Sequence, residues 1–395
     1  MKIVFFTFYY PPDLCAGSFR AAALAKALEK NIDTNDELHI ITTHPNRYSS
    51  YKVAADNTEI NGKITIHRIL VPTHQSGMLS QARSFGVYAN LAYKLCKQIK
   101  PNFIIGTTSR LMTGLLAGIS AHKMSCRYFI DLRDILSEAL SDLYAKKNRI
   151  LGKFFKVVFS FLEKRLFNNA AGVNVVSEGF PSYFQNNGVD TSNWSFFPNG
   201  VDLEFIQIGR KKGPKLKKSK IILYAGNIGR AQGVETILPD VAKKLGNNYN
   251  FIVIGDGRMR ATFTERLKNE NITNVEILNP VSRDKLVAFY QKADILFLHL
   301  NNMPSLRRSL PSKIFEYTAS SKHIVAGLSG YSADFLSDST PHASVFNPGD
   351  VNHCVRLIKK VESLKVDREK IDFFVKEYAR EKIMNKMASH ILNLL

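Results

Sequence analysis

At 395 residues the chain exceeds an ordinary single domain, so two domains of roughly 200 residues each are expected. Hydrophobic residues make up 45 % and charged residues 22 %, values of a globular protein that exclude long disordered stretches. Lys plus Arg number 54 against 34 for Asp plus Glu, a net charge of +20 that calls for nucleic acid, an anionic membrane surface or phosphate-bearing substrates; no RNP pattern, zinc finger or helix-turn-helix occurs, so nucleic acid is set aside.

In chain order, residues 3–10 are a nearly continuous apolar run, the mark of a buried parallel strand. A signal peptide would need a longer apolar core and a small-residue cleavage site, so none is expected, and Pro11-Pro12-Asp13 ends the run. Residues 21–30 read as helix, 38–43 and 64–71 as short strands, and 79–99 as helix. A strand at 103–106, a helix at 111–123, a strand at 127–132 and another at 173–176 follow. The 111–121 run is too short to cross a membrane, and no window of about 20 apolar residues exists. Residues 146–165 carry seven cations, one acid (Glu163) and Phe154, Phe155, Phe159 and Phe161. That pattern suits a helix at a membrane interface, and equally a core helix with solvated lysines.

Residues 206–220 are basic, free of acids and aperiodic, and read as an exposed linker. After it the alternation restarts, with strands at 221–225, 251–254, 275–278, 295–300 and 323–326. The expected domains are therefore 1–205 and 221–374, with a final helix at about 375–395 packing back on the first. Strand–helix alternation implies doubly wound α/β domains with parallel sheets. Two such domains are expected to face each other across a cleft, with ligands beyond the strands' C-terminal ends. Cys15, Cys96, Cys126 and Cys354 form no CxxC pair or metal spacing and read as reduced thiols of a cytosolic protein.

Six segments in order resemble family 4 glycosyltransferases of the GT-B fold, over nearly the whole chain. They are residues 8–20 (FYYPPDLCAGSFR), 198–202 (PNGVD), 224–233 (YAGNIGRAQG), 254–257 (IGDG), 310–317 (LPSKIFEY) and 347–350 (NPGD). Within the family the chain is similar to O-antigen and capsule transferases of the L-fucosamine transferase type. The resemblance implies two Rossmann-like domains and retaining transfer from a nucleotide-sugar donor, expected to be UDP-linked. It also implies a polyprenyl-diphosphate-linked saccharide as acceptor, at the inner face of the cytoplasmic membrane, with no metal or other cofactor. No Asp-x-Asp sequence, the usual metal bridge of other transferases, occurs.

Such a reaction needs positive charge and backbone N–H groups where the leaving diphosphate gathers charge. Gly226, Gly229 and Gly233, with Arg230 just before a predicted helix, offer them, and Lys313 is a second cation. Gly255 and Gly257 form the following glycine turn, and Ser312 opens the helix of the (V/L)PSK segment. The family's GR-x4-KG pattern places its Arg on Asn227 and its Lys on Gln232, with Arg230 as the substitute cation. Glu316 matches the glutamate that bonds the donor's ribose hydroxyls, a task suited to a two-oxygen acceptor. Eight residues earlier, where the family has a second Glu at the donor sugar, stands Arg308.

On the acceptor side, Gly17 is expected in a strained turn that lets the backbone approach a ligand. Arg20 reads equally as a phosphate ligand or an exposed cation. Asp131 and Asp134 stand where many members carry a histidine, so Asp131 is the candidate to orient or deprotonate the acceptor, or is simply a helix cap. Two other readings stay open: a GT-B epimerase, and a degenerate sugar-binding or scaffolding partner, for which Arg308 and the missing histidine speak.

Overall fold

The sequence KIVFF (β1, Lys2–Phe6) is buried from Ile3 on and is paired on both sides, as a strand apolar on both faces must be. It is the centre of an eight-stranded sheet in the computed structural model, which describes residues 1–48, 53–72, 78–108, 111–138, 149–210, 219–361 and 366–395. The sheet's other strands are β2 (Glu37–Thr43), β3 (Thr58–Asn61), β4 (Ile64–Ile69), β5 (Phe103–Thr107), β6 (Arg127–Leu132), β7 (Gly172–Val175) and β8 (Trp194–Phe196). Their order is β3-β4-β2-β1-β5-β6-β7-β8, parallel except for the β3–β4 hairpin at the edge. Helices α1 (Ala16–Asn31), α2 (Met78–Ile99), α3 (Leu111–Lys123) and α4 (Arg149–Asn168) make the crossovers.

A second sheet is built from β9 (Lys220–Ala225), β10 (Tyr249–Ile254), β11 (Val275–Leu278), β12 (Ile295–His299), β13 (His323–Gly327) and β14 (Ala343–Phe346). Its order is β11-β10-β9-β12-β13-β14, parallel throughout. Strand order reverses beside β1 in the first sheet and beside β9 in the second, and the loops after those strands are where ligands of open α/β sheets bind. Each sheet has its own apolar core, Phe6, Ile104 and Ile130 in one and Ile222, Val253 and Phe297 in the other.

The chain divides into unit 1, Met1–Asn199 with Glu381–Leu395, and unit 2, Gly200–Arg380. The first boundary thus falls ahead of the expected residue 205. The reason is that Leu203–Arg210 is a helix, not the start of a linker, and Phe205 packs its ring 5.1 Å from Tyr290. Residues 211–218 of the expected linker, and 146–148 of the basic aromatic segment, lie outside the described residues. The last helix, Arg380–Leu392, buries Met384, Met387 and Ile391, and all but its first residue belong to unit 1. Among the described residues no helix is long and apolar enough to cross a membrane.

Candidate functional site

In unit 2 the loop after β9 folds against the turn after β10. The Gly226 N–H donates to the Ile254 carbonyl at 2.8 Å, and the Ile228 N–H to that of Asp256 at 2.9 Å. A Cβ on Gly255 would fall on the Gly226 carbonyl oxygen, so the two backbones meet only because Gly255 has none. Gly257 lies in the same turn, against the Ile228 carbonyl. Where the family carries Arg and Lys, the Asn227 amide donates to the Gln232 amide at 2.8 Å, a neutral bridge across the loop. Buried Gly229 lies inside that bridge, and Gly233 (φ 59°) starts the helix Val234–Leu245.

The cation comes from elsewhere. Lys313 projects from the helix Ser312–Ala319 so that its Nζ occupies the space a Cβ on Gly226 would need. The same Nζ lies 5.7 Å from the centre of the Tyr224 ring, whose hydroxyl donates to the Asn227 carbonyl at 2.6 Å. Burial lowers the Lys313 pKa, and the charge of Glu316 works against that shift. Arg230, the expected substitute, is exposed. Its carbonyl accepts from the Asn301 amide at 2.5 Å, so its backbone is fixed while its side chain faces outward.

Glu316 lies one helical turn beyond Lys313 on the same face. Its Oε2 accepts from the Tyr290 hydroxyl at 3.1 Å. Burial raises its pKa, and the charges of Arg283, Lys313 and Arg380 oppose the rise. Arg283 pairs with Asp202 and Glu204, and Arg380 Nε with Asp202 Oδ1 at 2.5 Å. Ser312 is the first residue of the Glu316 helix, and half-buried Arg308 lies in the turn before it.

One further residue organises these loops. His299, fully buried at the end of β12, has Nδ1 2.6 Å from the Gln232 carbonyl and Nε2 3.2 Å from the Gly349 N–H. A carbonyl only accepts and an N–H only donates, so Nδ1 carries the proton and Nε2 is bare. A neutral ring, favoured by burial, therefore ties the glycine loop to the PGD turn.

In unit 1 three expectations change. Gly17 is not in a strained turn; it is the second residue of α1, buried, and absent from the glycines with positive φ. Arg20 is neither exposed nor open to a phosphate. Its Nε and Nη2 donate to the two oxygens of Asp131 at 2.8 Å, and Nη1 and Nη2 to the Pro198 and Phe197 carbonyls at 2.7 and 2.8 Å. Asp131 is thereby saturated, since Asn174 Nδ2 also donates to its Oδ1 at 2.8 Å. Burial would raise its pKa, but the charge and hydrogen bonds of Arg20 outweigh that and hold it low. A carboxylate so held is not the group that takes an acceptor's proton; the pair fastens α1, β6 and the 197–198 segment together. Asp134 is exposed in the loop after β6.

The sequence did not single out Asp13, which is 3 % exposed. One oxygen accepts the Asn46 and Arg47 N–H groups at 3.1 and 2.9 Å; the other, buried, has no hydrogen-bond partner among the described residues. Burial pushes its pKa up to about 6, against the lowering effect of those bonds and of the Arg47 and Arg68 charges.

Residues 205–381 match the family described as glycosyl transferases group 1. A glycosyl transferases group 1 domain thus occupies nearly all of unit 2. The chain is 23 % identical over 334 residues to the putative colanic acid biosynthesis glycosyl transferase WcaI of Escherichia coli K12, covering 80 % of each chain. The fold of the chain is shared with sucrose-phosphate synthase of Thermosynechococcus elongatus, at 14 % identity and a TM-score of 0.73 over 100 % of this chain and 99 % of that one. It is shared too with Anabaena HepE in complex with UDP and glucose, at 13 % identity and a TM-score of 0.69 over 100 % of both.

Proposed function

We propose that the chain transfers a sugar, with retention, from a UDP-linked donor to a polyprenyl-diphosphate-linked saccharide during surface polysaccharide synthesis, without a metal. The observation that carries this reading is the placement of Lys313 against the Gly226 loop with Glu316 one turn away. Lys313 and the loop's N–H groups provide for the diphosphate, and Glu316 Oε1 and Oε2 for the ribose hydroxyls. Gly229, Gly257 and Ser312 are assigned to this donor site, and Arg308, standing where the family has its second Glu, to the donor sugar. The name of the WcaI relative supports the polysaccharide reading, and the UDP and glucose of HepE support the donor class.

The acceptor is read as lipid-linked because unit 1 carries a surface suited to a membrane. Ile150, Phe154, Val157 and Phe161 recur at helical spacing on α4 and are 81, 59, 70 and 63 % exposed. Lys153, Lys156, Lys164 and Arg165 flank them, while Glu163, the helix's one acid, is buried and accepts from the Ser137 hydroxyl at 2.5 Å. Such a face lies in the plane of an anionic bilayer. The epimerase and scaffold alternatives are separated from transfer by one assay. Incubation with UDP- and GDP-sugars and a membrane extract of lipid-linked saccharides should release nucleoside diphosphate and a lengthened lipid. Release of an epimerised nucleotide sugar, or no turnover of any donor that binds, would overturn the reading.

A further inference from the structure

Unit 1 holds a cavity of about 590 Å³ between α3 and α4. It opens at the strands' N-terminal ends, beside Arg127, the first residue of β6, and Ala170 and Ala171, which precede β7. Asp13, in the loop after β1, and Asp131, near the end of β6, lie toward the opposite ends of the strands, away from the cavity.

Its wall is apolar, formed by Leu115, Ile119, Leu162 and Leu166 with the Tyr128 ring. Two small features keep it open. A Cβ on Gly118 would come 2.8 Å from Leu166 Cδ1, and the Tyr128 hydroxyl is turned away to donate to the Leu166 carbonyl at 2.6 Å. The rim is basic: Arg127, Arg165 and His122 are exposed, and among the described residues no Asp or Glu lines the cavity. Neither arginine is in an ion pair with a described residue. An apolar well of this size with guanidinium groups at its mouth matches a ligand that joins an anion to a hydrocarbon chain.

The position of the well names the source of that ligand. Leu162, Arg165 and Leu166 belong to α4 and follow directly on the exposed Phe154, Val157 and Phe161 stripe. Ile119, 58 % exposed on α3, is on the lip. We propose that the cavity seats one anionic phospholipid of the bilayer, its phosphate at Arg127 and Arg165 and an acyl chain in the well. The inference rests on the membrane reading of α4 and sharpens it, turning a diffuse electrostatic attachment into one with a lipid held in a fixed place.

The test separates the two claims. Phosphatidylglycerol with six-carbon chains, kept below its micelle concentration, is titrated calorimetrically into the full chain. Saturable binding of one lipid per chain is expected. Phosphatidylcholine of the same chain length and inorganic phosphate should each bind at least tenfold more weakly. Arg127→Ala/Arg165→Ala should lose at least tenfold, and Ile119→Glu, at the exposed lip, should lose as much. Phe154→Ser/Phe161→Ser should bind the short lipid as the wild type does while losing binding to phosphatidylglycerol vesicles. Equal binding of the two lipids, or undiminished binding by the double arginine variant, overturns the proposal. Wild type that binds anionic vesicles but not the short lipid overturns the seat alone, and failure to bind either overturns the membrane reading with it.

Discussion

The Arg20–Asp131 pair shows what a buried charge does in this fold. Neither partner has solvent to fall back on, and the two residues are 111 positions apart. Removing one leaves the other charged and unpaired, which costs on the order of 3–5 kcal/mol. Arg20→Leu and Asp131→Leu should each lower the melting temperature of the chain by several degrees. The double variant should lose clearly less than the sum, because no lone charge remains; strict additivity in calorimetry would contradict the assignment. Asp13 behaves oppositely. Its folded pKa, about 6, lies above the ordinary 3.8, so the folded state binds the extra proton between those values. Stability should therefore rise as pH falls from about 6 toward 4. Asp13→Asn keeps an oxygen for the Asn46 and Arg47 N–H groups while removing the buried charge. It should melt higher than the wild type at pH 7.5 and show no such gain at pH 4.5; a lower melting point at pH 7.5 would refute this.

At the scale of elements, the strands and the donor segments were legible because each is contiguous: an apolar run ended by glycine or proline, or a motif such as LPSKIFEY. What was not legible depends on residues that only the fold brings together. Arg283 lies 81 positions from Asp202, and Arg380 178 from it, yet both shape the charge around Glu316. The partners of Asp131 were hidden for the same reason, and the expected base became a clamp. The linker misread at 206–210, inside the helix Leu203–Arg210, has a different cause. Eight residues with two apolar anchors, Phe205 and Ile208, give too little periodicity to outweigh their basic surroundings. Helix α4 gave a readable composition but not which face is outside. With that face known, Phe154→Ser/Phe161→Ser should cut co-sedimentation with anionic vesicles at least tenfold. Wild-type binding should weaken as salt is raised; binding equal on neutral vesicles or indifferent to salt would contradict it.

The whole molecule joins a doubly wound unit that carries the glycosyl transferases group 1 match to one that presents a basic, apolar surface. Charge runs through both: the net of +20 is read as serving diphosphates at Lys313 and an anionic bilayer at α4. Because cations and loop N–H groups are assigned the leaving group's charge, transfer should survive EDTA. Loss of activity on chelation, restored by magnesium or manganese, would refute that part.

The central claim is that Glu316 and Lys313 hold the nucleotide. Calorimetric titration of UDP into the wild type and Glu316→Ala tests it most directly. Hydrogen bonds to a charged group are worth about 1.5–3 kcal/mol each, partly recovered by water. A loss of about 2 kcal/mol, roughly 30-fold in affinity, is expected, with a smaller loss for Glu316→Gln. Arg308→Ala should bind UDP nearly as the wild type does. A folded Glu316→Ala that binds UDP with wild-type affinity would contradict the account.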